Sequence, residues 1–258
     1  MKGKRNGIGP IAINTQVEIL AESSDWLVVN KPAPLLVHPT NETGERTLWH
    51  ILNDLLPYEL VNGGQISLVN RLDRETSGLT LVAKTFHAAR VLGKAMQAKL
   101  IRKEYLALVY GHPEWDEKEV TLPILRRGEV EPSRIWVRQM VHEQGKDCRT
   151  DFKVIGRYIV KGREVALIRC APITGRMHQI RVHLSHIGFP IIGDKIYGPS
   201  EDCYLQHIET GWTKELEEQL WLPRQALHAW ILEFPYEDEL VRVVSPLPED
   251  WKRFFEAQ

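Results

Sequence analysis

Hydrophobic and polar positions along this chain predict a mixture of short strands and three amphipathic helices. Two strands are expected at 17–20 and 26–30, and Lys31-Pro32-Ala33-Pro34 must end the second, because proline has no N–H to give to a ladder. Thr47 is placed to cap a helix on which Leu48, Ile51, Leu52 and Leu55 recur at i, i+3, i+4 and i+7, one apolar stripe. Strands over 66–69 and 79–83 follow. Thr85 then caps a second helix with Ala88, Val91, Leu92, Ala95 and Met96 on its inner face. The run 104–110 is apolar at both alternating sets of positions, as in a strand covered on both sides, and Gly111 and Pro113 stop it. Further strands are expected at 151–155 and 164–173. A third helix is expected to open at Thr174-Gly175, bury Met177, Ile180, Leu184 and Ile187, and end at Gly188, with closing strands near 226–233 and 240–244.

Strands outnumber helices, and several follow one another without the strict alternation of a doubly wound parallel sheet. The pattern therefore predicts an α+β fold, a mixed and largely antiparallel central sheet flanked by helices. No repeat of solenoid period and no low-complexity tract divides the chain, so residues 17–258 read as one unit after a short, flexible, basic segment over 1–16.

Composition narrows the setting. With 258 residues, 43% of them hydrophobic, the chain has enough apolar surface to bury a core without covalent staples. No apolar run approaches the roughly 20 residues of a membrane span, and Met1-Lys2-Gly3-Lys4-Arg5 introduces no signal-peptide core. A cytoplasmic address is expected, and Cys148, Cys170 and Cys203, odd in number, widely spaced and without a CxxC pair, are expected to be reduced packing thiols. The net charge of −1 argues against a polyanionic partner until it is divided. Residues 201–258 hold 13 acidic and 5 basic side chains, whereas residues 1–200 hold 28 basic and 21 acidic. The basic excess thus lies in the first 200 residues, with clusters at Lys94, Lys99, Arg102 and Lys103 and at Arg126, Arg127, Arg134 and Arg138, each of which is equally an ordinary solvated face.

Three places concentrate chemistry. Asp73 stands between Arg71 and Arg74 in Asn70-Arg71-Leu72-Asp73-Arg74-Glu75-Thr76-Ser77-Gly78, where adjacent cations would keep a carboxylate ionised. On the residues alone, an ion-paired aspartate on a surface loop is the plainer reading. Thr174-Gly175-Arg176-Met177-His178-Gln179-Ile180-Arg181-Val182-His183-Leu184 gathers Arg, His and Gln at an expected helix start, where backbone N–H groups favour anions. Its Arg181 falls at the edge of the buried stripe and needs a carboxylate, for which Asp73 is suited. His178 and His183 are spaced i, i+5 and do not share a helix face, so no metal site is expected there. Tyr105, after Arg102-Lys103, is a core tyrosine or a platform for a nucleobase. There is no GxxxxGK[ST], GxGxxG or GxSxG pattern, so no nucleotide cofactor and no serine-hydrolase chemistry are expected.

Taken together these stretches resemble the RluA-type pseudouridine synthases, which isomerise uridine to pseudouridine in ribosomal or transfer RNA. Val29-Asn30-Lys31-Pro32 and Val37-His38-Pro39 are similar to the family's N-K-P-x-G region. Arg71 to Gly78 resembles R-L-D-x-x-T-S-G, Lys103-Glu104-Tyr105 resembles K-x-Y, and 174–183 resembles T-G-R-x-H-Q-I-R-x-H. Pro190-Ile191-Ile192-Gly193-Asp194-Lys195-Ile196-Tyr197-Gly198, Leu227-His228-Ala229 and Pro246-Leu247-Pro248 resemble its later elements, so the likeness spans roughly 17–254. The resemblance implies a pseudouridine synthase fold with Asp73 as catalytic aspartate, Tyr105 against the target base and Arg181 paired with the aspartate. It implies Arg71 entering the RNA stack, with Asn70, Arg74, Lys103, Arg176, His178 and Gln179 as further RNA contacts. It also implies a structured tRNA or rRNA partner, a monomer, and neither metal nor cofactor.

Asn70 stands where the family usually has histidine and Pro34 where glycine is usual, and Asn70 is expected to alter RNA contacts. The sixteen residues before the first strand are too few for the S4 RNA-binding domain of larger relatives, so target choice is expected to rest on the catalytic unit. The competing expectations are a catalytically silent RNA-binding module of the same fold and a metal-dependent hydrolase.

Overall fold

In the computed structural model of the protein, which describes residues 17–39 and 44–255, the alternating runs assemble into a ten-stranded sheet. Its strands are β1 (Glu18–Glu22), β2 (Trp26–Lys31), β3 (Ser67–Leu68), β4 (Ser77–Ala83), β5 (Arg102–Tyr110), β6 (Glu117–Val120), β9 (Thr150–Val160), β10 (Arg163–Pro172), β11 (Leu227–Tyr236) and β12 (Glu239–Val244). A separate hairpin pairs β7 (Ile124–Arg126) with β8 (Gln139–Val141). The helices are α1 (Leu48–Leu55), α2 (Pro57–Val61), α3 (Phe86–Gln97), α4 (Gln179–His186), α5 (Asp202–Thr210) and α6 (Lys214–Leu220). The α+β expectation is borne out. The expected basic segment 1–16 lies outside the described residues.

Strand order is β1-β2-β4-β11-β5-β10-β9-β6, and the described pairings of this sheet are antiparallel except β4 with β11. That parallel pair is short, joining Ser77 to His228 and Gly78 to Ala229. Beyond it the strands diverge: β3 takes the freed edge of β4, β12 that of β11, and α3 packs against both. Because β4 and β11 run the same way, the loops that precede them emerge side by side. One carries Asp73 and the other Gln225. β5 is antiparallel to β11 and sets Tyr105 opposite Ala229, while β10 sets Cys170 opposite Tyr105 and delivers the chain at Pro172 to the same end of the sheet.

The doubly apolar reading of 104–110 holds: residues 105–109 are buried, as are all seven residues of β4. Thr85 caps α3 as expected, its hydroxyl accepting from Ala88 N at 3.1 Å. Two expectations fail at helix ends. α1 buries Leu48, Ile51 and Leu52, but Leu55 is 48% exposed because Leu56-Pro57 turn the chain into α2. The third helix begins at Gln179 rather than at Thr174-Gly175, and Met177 is 48% exposed instead of buried. Its N-cap, His178, adopts a left-handed conformation (φ 57°), which no helix continues through. Gly188 (φ 90°) does follow the helix end as expected.

The contact between β4 and β11 depends on one missing side chain. Gly78 has φ 108°, and a Cβ there would lie 2.2 Å from the Ala229 carbonyl oxygen. Gly78→Ala is therefore expected to destabilise the fold by about 2–4 kcal/mol through strain and clash together. A fall in the urea midpoint at unchanged m-value checks this, and an unchanged midpoint would refute it.

Candidate active site

Asp73 sits in the loop between β3 and β4, and the loop is fastened on several sides. Asn70 is buried, its side-chain Nδ2 donating to Leu79 O (3.2 Å) and its Oδ1 accepting from Leu81 N (2.7 Å). Thr76 N donates to Asp73 O at 3.1 Å, closing the turn. The Arg74 carbonyl accepts from Leu35 N (2.8 Å) and from Lys31 Nζ (3.2 Å), and the fully buried Lys31 ammonium also donates to Pro32 O and Leu35 O. Burial, followed by the charge of Arg224, lowers the Lys31 pKa to about 7. Glu75 accepts from Lys195 Nζ at 2.6 Å. With so many backbone and side-chain ties, the loop presents Asp73 in one orientation.

The carboxylate is held by Arg181, delivered from α4. Arg181 Nη1 donates to Asp73 Oδ2 at 2.8 Å, while Nε and Nη2 form a fork on Asp194 at 2.7 and 2.9 Å. Asp194 is fully buried, and its Oδ1 also accepts from Ile196 N and Tyr197 N at 3.0 Å each. The Tyr197 ring lies 5.0 Å from the guanidinium carbon, a cation–π contact. Gln225 Nε2 donates to Asp73 Oδ2 at 3.3 Å and to Thr76 Oγ1 at 2.8 Å. Asp73 Oδ1, by contrast, accepts from no described residue. Burial alone would raise the Asp73 pKa, but the Arg181 charge and hydrogen bond outweigh it and hold the carboxyl below the usual aspartate range.

The cation that ionises Asp73 is thus distant in sequence, which corrects the expectation drawn from its neighbours. Arg74 turns away to Glu45 at 3.3 Å, a half-exposed pair of little energetic weight, and does not line the site. Arg71 is exposed at the pocket wall and has no ion-pair partner among the described residues. Arg181 meets Asp73 as expected, but its fork is taken by Asp194.

Around the carboxylate lies a pocket that Arg71, Leu72, Tyr105, Lys103, Arg176 and His178 line together with Asn70, Thr76 and Arg181. Tyr105 is 8% exposed, and burial, then the nearby Asp73 charge, raises its pKa, so it presents a neutral phenol ring. His178 Nδ1 shares a 2.8 Å hydrogen bond with the Tyr197 hydroxyl, and its Nε2 is 3.9 Å from Asp73 Oδ2. Burial and the Arg181 charge lower its pKa to about 4, so it is neutral at physiological pH and forms no ion pair. Arg176 is exposed and donates to Asp147 O at 3.3 Å, and Lys103 is partly buried with Met96 Sδ at 3.7 Å.

Two of the expected RNA contacts are instead fasteners. Asn70 has committed its amide to β4. Gln179 is 4% exposed: its Oε1 accepts from Thr174 Oγ1 (2.7 Å) and Arg176 N (3.1 Å), and its Nε2 donates to Arg149 O and Thr150 Oγ1 (2.9 Å each). This amide organises the turn that replaces the expected first turn of helix. His183 lies fully buried against Thr150 and Leu122, on another side from His178. Among the described residues no group of His, Cys, Asp or Glu is arranged to hold a metal ion, and no helix is long and apolar enough to cross a membrane.

Asp194 and Gln225 carry weight that the sequence reading did not assign. A buried guanidinium has five donors and one carboxylate cannot satisfy them, so the need for a second was readable, and Asp194 lay in a quoted motif. Gln225 had no local signal, since the parallel pairing of β4 and β11 brings it in.

Comparison with known proteins places the chain in one family. The family described as RNA pseudouridylate synthase matches residues 25–186. The chain is 36% identical over 243 residues to ribosomal large subunit pseudouridine synthase D of Nitrosomonas europaea, covering 93% of this chain and 65% of that one. It is 38% identical over 238 residues to ribosomal large subunit pseudouridine synthase C of Escherichia coli, covering 91% and 68%. The chain thus spans about two thirds of the length of each of these two relatives. Among solved structures, human RNA pseudouridylate synthase domain containing 1 superposes with a TM-score of 0.69 at 28% identity, covering 91% of this chain and 84% of that one. The chain belongs to the RNA pseudouridylate synthase family.

The Arg181–Asp194 pair has a measurable consequence for stability. Asp194→Asn removes the fully buried charge opposite a guanidinium that is itself 5% exposed, and is expected to cost about 3–5 kcal/mol. Chemical denaturation reads this directly, and a loss under about 1 kcal/mol would mean that Arg181 is not held by Asp194.

Proposed function

We propose that this chain is an RNA pseudouridine synthase, an isomerase that converts a uridine of large-subunit rRNA to pseudouridine. The observation that carries the reading is the asymmetry of Asp73, which lines one pocket with Tyr105: one carboxylate oxygen is clamped by Arg181 and Gln225, and the other has no described donor. Such a carboxylate is ionised, oriented and unsatisfied toward a pocket. The family supports the reaction, and the names of the two bacterial relatives favour large-subunit rRNA over the tRNA that the motifs equally allow.

In this reading the target uridine leaves the RNA stack, because the C1′–N1 bond cannot be replaced by C1′–C5 while the base is stacked. Unstacking costs a few kcal/mol. Arg71, exposed at the pocket wall and without an ion-pair partner among the described residues, offsets part of this by filling the vacated space. Tyr105 packs against the flipped base, and its neutral ring leaves the base free to turn in its plane. Asp73 acts at the ribose through its free oxygen while the C1′–N1 bond breaks. C5 then bonds to C1′, loses its proton, and N1 ends protonated, so the product is an isomer of the substrate. No electron and no group from a cofactor enters, and the protein acts as a monomer in the cytoplasm.

The test is tritium release from C5-labelled large-subunit rRNA transcribed in vitro. The wild type is expected to release label in proportion to pseudouridine formed, and Asp73→Ala to lose at least about a thousandfold in rate. Equal release from both would remove Asp73 from catalysis, and no release from either, with RNA still bound, would favour the silent RNA-binding module.

A further inference from the structure

Beside the catalytic pocket, and sharing Asn70, Lys103, Thr174, Gly175 and Arg176 with it, runs a groove of about 330 Å³ against about 110 Å³ for the pocket itself. Met96, Ile101 and the exposed Ile173 give it an apolar floor, and Lys99, Lys103 and Arg176 supply cations. None of its lining residues is a carboxylate. This distinguishes it from the other basic places among the described residues. Arg127, Arg134 and Arg138 are drawn onto Glu201, with Arg134 also on Asp202. The depression at Lys161, Arg163 and Lys214 includes Glu217 and Glu218, and that at Arg149, Lys153 and Arg169 includes Glu117, Glu119 and Asp151.

Two details suit the groove to an anion. Lys103, only partly exposed at the junction of pocket and groove, has a thioether as its one described partner, Met96 Sδ at 3.7 Å, although an ammonium offers three donors. Lys99 occupies the position after the C-terminal cap of α3 in a left-handed conformation (φ 57°), where glycine or asparagine is the usual choice. It is exposed and makes no ion pair among the described residues, so a strained backbone position carries an ammonium with no described partner.

We propose that this groove is a subsite for the nucleotide next to the flipped uridine, with its phosphodiester on Lys99 and Lys103 and its base against the Met96, Ile101 and Ile173 floor. The ligand class is a single-stranded nucleotide unit continuous with the substrate RNA, and the inference rests on the RNA reading above. A base lying on an apolar floor is held without regard to its hydrogen-bonding edge, so the subsite adds affinity and positions the target more than it selects sequence.

Lys99→Gly removes the charge and relieves the strained backbone at once, so a folding defect is not expected. Lys161→Gly is the matched control, with the same loss of charge, the same left-handed backbone (φ 51°) and a place at the far turn between β9 and β10. The probe is a fluorescein-labelled single-stranded oligoribonucleotide, titrated by anisotropy with the full chain at several salt concentrations. Tritium release from large-subunit rRNA is measured in parallel. Lys99→Gly is expected to weaken binding about three- to tenfold and to flatten the log K against log [salt] slope by about 0.7, the share of one phosphate on a single strand. KM should rise with kcat unchanged, and Lys161→Gly should match the parent throughout. Equal affinity and slope for the two variants would overturn the proposal. Because binding is read without turnover, a wild type that binds but releases no tritium would count against the proposed reaction and leave the groove result standing.

Discussion

A guanidinium that is 5% exposed and cannot shed its proton has to be met by carboxylates, and the arrangement of Arg181 decides most of what surrounds it. Asp194 takes the fork and its charged form is further favoured by two backbone N–H donors, so it serves as the permanent counter-ion. The third described bond of Arg181 goes to Asp73. Sharing in this way has a chemical effect. A carboxylate forked by Arg181 alone would have both oxygens engaged, whereas Asp73 keeps one of them free. The same cation that keeps Asp73 ionised therefore does not cap it.

The fold supplies the pieces of this clamp from four directions, and its single parallel strand pair is the device that aligns two of them. Antiparallel partners would send the loops before β4 and β11 to opposite ends of the sheet. Running parallel, they put Asp73 and Gln225 within 3.3 Å. Gly78 permits the approach by having no Cβ to meet the Ala229 carbonyl. α4 brings Arg181, and the segment after it, turning at Gly193, brings Asp194. Lys31, Asn70, Gln179 and Lys195 are polar side chains buried or nearly buried for the sake of loops, and each bonds backbone or a loop carboxylate, although Asn70 and Gln179 also form part of the pocket wall. The polar groups near the site thus divide into those whose hydrogen bonds are taken up in holding it and those left free to meet a ligand.

That division explains what could be read in advance. The strands of the central sheet and the stripes of α1 and α3 follow from local periodicity, which depends only on which face is buried. Asp73, Tyr105 and Arg181 were legible from their motifs, and they do share one pocket. The roles of Asn70 and Gln179 were not legible, because an amide near a catalytic motif looks the same whether it faces substrate or backbone. The start of α4 was misplaced because apolar spacing from Met177 onward mimics a helix, and only the Gln179 bonds and the left-handed His178 reveal a turn there. The short strands β6, β7 and β8 and helices α5 and α6 had no expectation at all. Charge counting also misled in part: the cluster around Arg134 is basic in sequence but is neutralised in space by Glu201 and Asp202, whereas the one around Lys99 is not.

The central claim is that Arg181, fixed by Asp194, keeps Asp73 ionised and half free. A carbon-13 carboxyl titration of Asp73 reads that state directly. Because the folded pKa is lowered, the Asp73 signal should remain that of a carboxylate as pH falls through the range near 4 where free aspartate protonates. Any stability linked to this group is then present above that range and lost only as pH falls through the lower folded value. In Arg181→Met the same signal should titrate at higher pH, since burial would then act without its opposing charge. An Asp73 that titrates near 4 or above in the wild type, or at the same pH with and without Arg181, would contradict the account.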